Sequence, residues 1–404
     1  MRITFLFTTS LECPYGLGRG WPLAKELARL GHTVTVLALH PDYGALEQRR
    51  FVREGVRVHY VAQMHVLKRA SLKTYFGPLR LLWIVAWATW CLSWAALRTP
   101  SDIYHLGKAQ PMNGLAGWLL HLLGRRVYLD YDDYEQAINR FGGEWQRRIV
   151  AFFEDRLPQV VDGVTVNTHF LAERLLAMGV SEERIVYVPN GVERARFSPP
   201  PPADVEALRR QLELEGRRVV LYLGSMSLVS HAVDLLLESF VQVQRSVPNA
   251  LLLLVGGGED YEALRSQAEA LGLGDAVRFV GRVPPESVPL YYVAAEISVD
   301  PVRDDWVARA RSPLKLFESL AMGRPVVTGD IGDRRACLDD GRAGALVAPG
   351  SADALAEGIV ELLQESGVTS EMGRAAKSFG DRFAWDVLVH EVVRVYSLPR
   401  SDAR

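Results

Sequence analysis

Two hydrophobic periods alternate along the chain. The stretch RITFLFT (residues 2–8) is nearly continuously apolar and short, which predicts a buried strand. GWPLAKELARLGH (20–32) carries its apolar residues at helical spacing and ends on Gly31, where a helix is expected to stop. TVTVLAL (33–39) then predicts a second strand. RVHYVA, DIYHL, RVYLDY, GVTVN and RIVYVPNG supply further short β-rich runs, separated by segments of helical period. Strand, glycine loop, helix and strand in that order predict a doubly wound parallel sheet.

The plan restarts after FSPPPPAD (197–204), whose four consecutive prolines predict a stiff linker over 199–204. RRVVLYLGS (217–225), ALLLLVGGGED (250–260), AVRFVGRV, ISVDPV, PVVTGD and GALVAP read as strands of a second such sheet. SPLKLFESLAMGRPVV (312–327) is a helix running through Gly323 and Pro325 into a strand. The expected organisation is an N-terminal Rossmann-like domain over 1–198, the linker, and a second Rossmann-like domain over 205–382. A C-terminal helix over 383–404 is expected to pack back on the first domain. Ligands of such sheets bind beyond the carboxyl ends of the strands, so the site is expected in a cleft between the two domains.

The chain has 404 residues, too many for one ordinary core. A net charge of −2 argues against a general nucleic-acid binder. Cys13, Cys91 and Cys337 are widely separated and odd in number, so neither a disulfide framework nor a zinc spacing follows, and a cytoplasmic setting is expected. The N-terminus reads as a strand rather than a signal peptide.

Candidate chemistry starts with Glu318, an acid among apolar neighbours, where a carboxylate costs free energy unless it is hydrogen-bonded. PYGLGRGW (14–21) places Gly16, Gly18 and Arg19 at the mouth of the first strand, without the spacing or distal acid of a dinucleotide fingerprint. That disfavours a nicotinamide-dependent oxidoreductase. LDYDDYE puts Asp130, Asp132 and Asp133 at a strand end, where they serve either to cap the following helix or to handle a proton.

In order and spacing, LAKELARLGHTVTVL, RIVYVPNGVERARFSP, VVLYLGS, VDLLLESF, LLLLVGGGEDYEALRSQAEALGLGDAVRFVGRVP, SPLKLFESLAMGRPVV and GALVAPGSADALAEGIVELL resemble the family-4 retaining glycosyltransferases of the GT-B fold, in a form carrying SPLKLFE. The match is strong from about Asp162 to Tyr396. The resemblance implies transfer of a sugar from a nucleoside diphosphate donor to a saccharide or lipid-linked acceptor, metal-independent and without a cofactor. It implies that Glu318 accepts hydrogen bonds from the donor ribose. Leu314 and Lys315 would lie at the diphosphate, with Gly224, Ser225, His231, Gly256, Arg282, Val283 and Arg311 around the donor. Gly16, Gly18 and Arg19 would form a diphosphate and acceptor loop. Asp132 and Lys315 are the catalytic candidates, Asp132 to orient or deprotonate the acceptor hydroxyl. The alternative for Glu318 is a structural ion pair with Arg324 or Lys315.

Three positions depart from the family pattern. Ser225 and His231 stand where an Arg and a Lys usually contact the diphosphate, and Ala310 stands where a second Glu contacts the sugar. Arg309, Arg311 and Lys315 are the expected compensation. A non-catalytic relative with a decayed donor site is the alternative.

Finally, no acid occurs between Glu54 and Asp102, although Arg57, Lys68, Arg69, Lys73, Arg80 and Arg98 do. Within this stretch Trp83, Trp87, Trp90 and Trp94 fall on one helix face. The apolar run 81–97 is about 25 Å of helix, short of a typical span. Contact with an anionic membrane surface, on the inner face of the cell membrane, is expected through Lys68, Arg69, Lys73 and the four tryptophans. A buried helix or a dimer contact is the alternative.

Overall fold

The computed structural model describes residues 1–69, 72–139 and 141–398. The chain divides into two compact units, one of Met1–Asn190 with the segment from Trp385 onward, the other of Gly191–Ala384. The boundary therefore precedes the linker expected at 199–204. The proline run belongs to the second unit, where Pro202 opens the helix Pro202–Gln211. Proline fits a first helical turn because the N–H it lacks would have had no partner there. Val205 and Leu208 of that helix join an apolar core with Phe197, Leu221 and Leu316.

The first unit is built on an eight-stranded sheet. Its order is Ile185–Tyr187, Gly163–Val166, Val127–Tyr131, Ile103–Gly107, Arg2–Phe7, Thr33–His40, Val56–Gln63 and Arg50–Arg53. All neighbours are parallel except the last, an antiparallel edge strand that the sequence pattern did not reveal. The strand order reverses at Arg2–Phe7, so the loop after Phe7 opens at the topological switch point. The helix Trp385–Tyr396 packs Trp385, Val389, Val392 and Tyr396 into this unit's core beside Phe5 and Tyr128. Tyr396 Oη also lies 2.5 Å from Nδ1 of the buried His105.

The second unit is a six-stranded sheet ordered Val277–Gly281, Ala250–Gly257, Arg218–Ser225, Ile297–Asp300, Val326–Gly329 and Gly344–Val347. Every pairing is parallel. Its strands are largely apolar because helices cover both faces. Here the order reverses between Arg218–Ser225 and Ile297–Asp300, and the helix Leu314–Ala321 starts above that point.

Candidate functional site

In the second unit, three strand-end features converge. Arg218–Ser225 ends at Gly224, which is in register with Gly256. A Cβ on Gly256 would come within 1.9 Å of the Gly224 carbonyl oxygen, so only glycine lets these backbones run so close. A Cβ on Gly224 would meet Lys315 Cε at 3.1 Å, which puts the lysine over this strand end. Its ammonium lies 4.3 Å from the centre of the Tyr222 ring.

Below it, Asp300 closes its strand and is fully buried. Three cations surround it. Arg334 Nε and Nη2 donate to Oδ2 at 3.0 and 2.9 Å. Arg311 Nη2 lies 3.4 Å and Lys315 Nζ 3.3 Å from Oδ1. Burial alone would push this carboxyl up, but Arg334, Lys315 and Arg311 together hold it far below the usual carboxylate range. Lys315 shows the converse. Burial lowers it to about 8, against the pull of Asp300, and the charges of Arg311 and Arg334 add to the fall. The Asp300 carboxylate is the one acceptor near Lys315 Nζ among the described residues, and Arg311 Nε has none. One carboxylate against three cations leaves the pocket floor two charges positive, with donors in hand. His231 lies in the same field and is held well below its ordinary value, by burial and then by Arg311 and Lys315. It is a neutral ring whose Nδ1 is 2.8 Å from Ser230 Oγ.

Glu318 is one turn beyond Lys315. Its Oε2 accepts from Tyr292 Oη at 3.0 Å, and Arg196 Nη2 is 4.0 Å from Oε1. Burial raises its pKa, opposed by Arg196, Tyr292 and Lys315. The anticipated alternative partner Arg324 instead donates to the Val293 carbonyl. Leu314 is half-buried at the helix start, and no side chain caps that terminus. Arg282 is exposed and lies across Gly257, where a Cβ would be 3.1 Å from its Cγ. Val283 packs at the edge of the apolar core. Ser225 is exposed, and its carbonyl accepts from Tyr222 Oη at 2.6 Å. Ala310 is buried in the short helix Trp306–Ala310. Arg309 is bound to Asp304 rather than aimed at this floor. Asp300, Arg334 and Tyr292 were not anticipated from the sequence. The available signal for Asp300 was an acid closing the short strand Ile297–Asp300, whose other residues are Ile, Ser and Val.

In the first unit the glycine loop turns inward. Gly16–Gly20 forms a π-helical turn ahead of the helix Trp21–Arg29. A Cβ on Gly16 would strike the Ser10 and Leu11 carbonyl oxygens at 2.4 and 2.6 Å. Gly18 is only half-buried. Arg19 departs from its expected place on a ligand. Nε and Nη2 grip both oxygens of Asp130 at 2.7–3.0 Å, and Nη1 donates to the Val188 carbonyl at 2.9 Å. The guanidinium is buried and its donors are committed to the protein, so it carries no diphosphate.

Next to that pair, Asp132, Asp133 and Glu135 gather around Lys108, whose Nζ is 3.5, 2.5 and 2.7 Å from them. Lys108 adopts φ +72°, an unusual conformation for a lysine and one held here by three carboxylates. Asp132 Oδ1 is buried without a hydrogen bond, and burial raises this carboxyl well above its ordinary range despite Lys108. Asp132 therefore stands beside Lys108 as a buried carboxyl with an oxygen left over for a hydroxyl.

The helix Pro78–Arg98 buries Ala88, Leu92 and Ala96 and exposes the opposite side. Trp83 is 67% and Trp87 50% exposed, and Trp90 and Trp94 follow. The rings stack in pairs, Trp83 on Trp87 at 6.2 Å and Trp90 on Trp94 at 6.0 Å. Lys68 is half-buried on Val66–Arg69, while the side chains of Arg69 and Lys73 lie outside the described residues. By length and composition this helix is apolar enough to cross a membrane. The strands on either side of it, Val56–Gln63 and Ile103–Gly107, nevertheless belong to one sheet, which a crossing would divide.

Comparison with known proteins agrees with the two-unit plan. A family model described as glycosyl transferases group 1 matches residues 217–365, and one described as a glycosyl transferase 4-like domain matches 21–191. The chain is 28% identical over 236 residues to a GDP-mannose-dependent alpha-(1-6)-phosphatidylinositol monomannoside mannosyltransferase of Mycobacterium tuberculosis, covering 58% of this chain and 61% of that protein. The chain thus spans about three fifths of the length of the mycobacterial relatives it matches. It is 29% identical to D-inositol 3-phosphate glycosyltransferase 2 of Catenulispora acidiphila, over 95% of this chain and 89% of the relative. Among solved structures, sucrose-phosphate synthase from Thermosynechococcus elongatus superposes with a TM-score of 0.77 at 21% identity, covering 98% of both chains. That likeness is one of fold.

Proposed function

The chain belongs to the family-4, group 1 glycosyltransferases of GT-B fold, and from that premise we propose that it moves a hexose from a nucleoside diphosphate donor to a lipid-linked acceptor, with retention and without a metal. The observation that carries this reading is the positive floor around Asp300, where three buried cations share one carboxylate and Arg311 Nε has no acceptor among the described residues. Excess buried positive charge costs free energy, and a diphosphate would relieve it. Lys315 and Arg311 occupy the role that Ser225 and His231 have lost. This argues against a decayed donor site.

The acceptor oxygen attacks the anomeric carbon from the face the diphosphate leaves. The sugar–phosphate bond breaks, its electron pair stays on the phosphate oxygen, and that oxygen takes the acceptor's proton. Charge accumulates on the leaving diphosphate, and Lys315 and Arg311 stabilise it there. Glu318, already accepting from Tyr292, has an oxygen for the ribose hydroxyls. Asp132 orients the acceptor hydroxyl.

A relative named as GDP-mannose-dependent makes GDP-mannose the first donor to test. The lipid-linked acceptor rests on the exposed tryptophan helix of the first unit, which suits peripheral membrane contact on the cytoplasmic face. Thermal shift with GDP, UDP and NAD tests the donor site. A nucleoside diphosphate at 100 times its Kd should stabilise by about 2.7 kcal/mol. Absence of any shift with GDP and UDP would return the decayed-site reading.

A further inference from the structure

Beside the tryptophan helix lies a groove of about 780 Å³ with a distinct composition. Its floor is the sheet face at the edge of the first unit. The pairing register sets side chains there in two rows: Leu37, His59 and Arg50 in one, Thr35, Arg57 and Val52 in the other. Its wall is the end of the helix Pro78–Arg98, contributing Trp94 and Arg98. No acidic residue lines it.

Two of its three arginines, Arg50 and Arg98, rest against neutral groups. Arg50 Nε is 3.2 Å from His59 Nε2. Arg98 lies 4.1 Å over the Trp94 ring. None of Arg50, Arg57 and Arg98 has a carboxylate partner among the described residues. Other exposed arginines, such as Arg2 with Asp102 and Arg303 with Asp234, are paired with carboxylates, whereas these three share one concave surface without one. Three guanidiniums facing one concave surface, with apolar Leu37, Val61 and Trp94 between them, suit one chemical class: a phosphate ester carrying hydrocarbon. The Trp94 ring belongs at once to this groove and to the exposed tryptophan stripe. A lipid headgroup entering the groove would therefore leave its chains along the stripe. The groove lies on the face of the sheet, away from the strand ends that carry Gly16 and Asp132.

We propose that this groove binds the phosphate of an anionic membrane lipid, held by Arg50, Arg57 and Arg98, as a headgroup site separate from the catalytic groups. The proposal rests on the reading of the tryptophan helix as a membrane face, and its test separates the two. Isothermal titration with dihexanoyl phosphatidic acid, below its micellar concentration, measures the groove alone. Dihexanoyl phosphatidylcholine and inorganic phosphate are the comparison ligands. The phosphatidic acid should bind at least about tenfold tighter than either, the effect of a charge-assisted hydrogen bond or two. The variant R50Q/R57Q/R98Q should lose that preference while keeping its far-UV melting profile. Flotation with vesicles of phosphatidylcholine, with and without phosphatidylglycerol, reads the helix, and W83S/W87S should weaken flotation without changing titration of the short lipid. Equal affinity for the two short lipids, or a preference that survives the triple variant, overturns the groove. Inorganic phosphate binding as tightly as the phosphatidic acid overturns the lipid as its occupant. Short-lipid binding by a wild-type protein that never floats keeps the groove and overturns the membrane reading of the helix.

Discussion

Each unit carries a fully buried aspartate at or next to the end of a strand, Asp130 in the first and Asp300 in the second, and the two are neutralised in opposite ways. Asp130 takes a bidentate guanidinium from Arg19 and a further hydrogen bond from Thr165 Oγ1 at 2.8 Å. One charge meets one charge and the donors are spent. Asp300 takes three cations, and Arg311 Nε among them has no acceptor among the described residues. A balanced buried pair holds a fold together, whereas an unbalanced one is arranged for a ligand. The acidic cluster at Lys108 tilts the first unit toward negative charge, while the second keeps an excess of positive charge.

The largest expected effects separate these two roles. Arg19→Met leaves Asp130 as an uncompensated buried charge and should cost about 3–5 kcal/mol. Urea unfolding followed by tryptophan fluorescence, which reports mainly on the first unit, would measure it. Lys315→Met should do the reverse. It removes a cation that already sits with Arg311 and Arg334, so the melting temperature should hold or rise. Turnover should fall about 10²–10³-fold, as when one group stabilising transition-state charge is removed. A Lys315→Met protein that unfolds like Arg19→Met, or that still transfers sugar at the wild-type rate, would erase the distinction between the two aspartates.

Why the sequence led to one of these and not the other has a physical reason. The helix Leu314–Ala321 was legible because Leu314, Phe317 and Leu320 repeat at helical spacing and Gly323, at φ +64°, ends it. Both sheets were legible from their apolar runs, apart from the antiparallel edge strand Arg50–Arg53. The inward turn of Arg19 was not, because a glycine-rich loop says that backbone approaches something closely without saying whether the neighbour is a ligand or the protein. Here it is the Ser10–Leu11 backbone. The tryptophan spacing defined a face and left open whether it was buried, since spacing carries no sign. Asp300 stayed hidden because its meaning lies in three residues that approach it only in the folded chain.

A smaller effect is expected at Glu318, which sharpens the contrast from the ligand's side. Glu318→Ala removes an acceptor for ribose hydroxyls, each hydrogen bond worth about 0.5–1.5 kcal/mol, so nucleotide affinity should drop severalfold or more. The fold should survive, because Tyr292 Oη keeps the Lys315 carbonyl as acceptor at 3.2 Å. Titration of GDP or UDP against the variant would show this. Unchanged affinity together with a lowered melting temperature would make the acid structural, a second Asp130 in kind.

The finest test uses pH. Lys315 is lowered to about 8 from an ordinary 10.5, chiefly by burial, with Arg311 and Arg334 adding to the fall and Asp300 opposing it. Above pH 8 the folded protein releases this proton while the unfolded chain still holds it. Stability contributed by this site should therefore rise between pH 8 and 10.5. Donor use should move the other way, since the neutral amine no longer offsets the diphosphate. The pH profile of kcat/KM reports the free protein and should fall above about 8, by about twofold at the midpoint. The kcat profile should fall at higher pH, because bound diphosphate holds the proton on Lys315. Asp130 and Arg19 contribute nothing in this window, as neither titrates between pH 8 and 10.5. Lys315→Met should flatten both the rise in stability and the fall in kcat/KM that the residue causes. A kcat/KM profile that stays level to pH 10 in the wild-type protein would mean that the ammonium above Asp300 is not the group that meets the leaving phosphate.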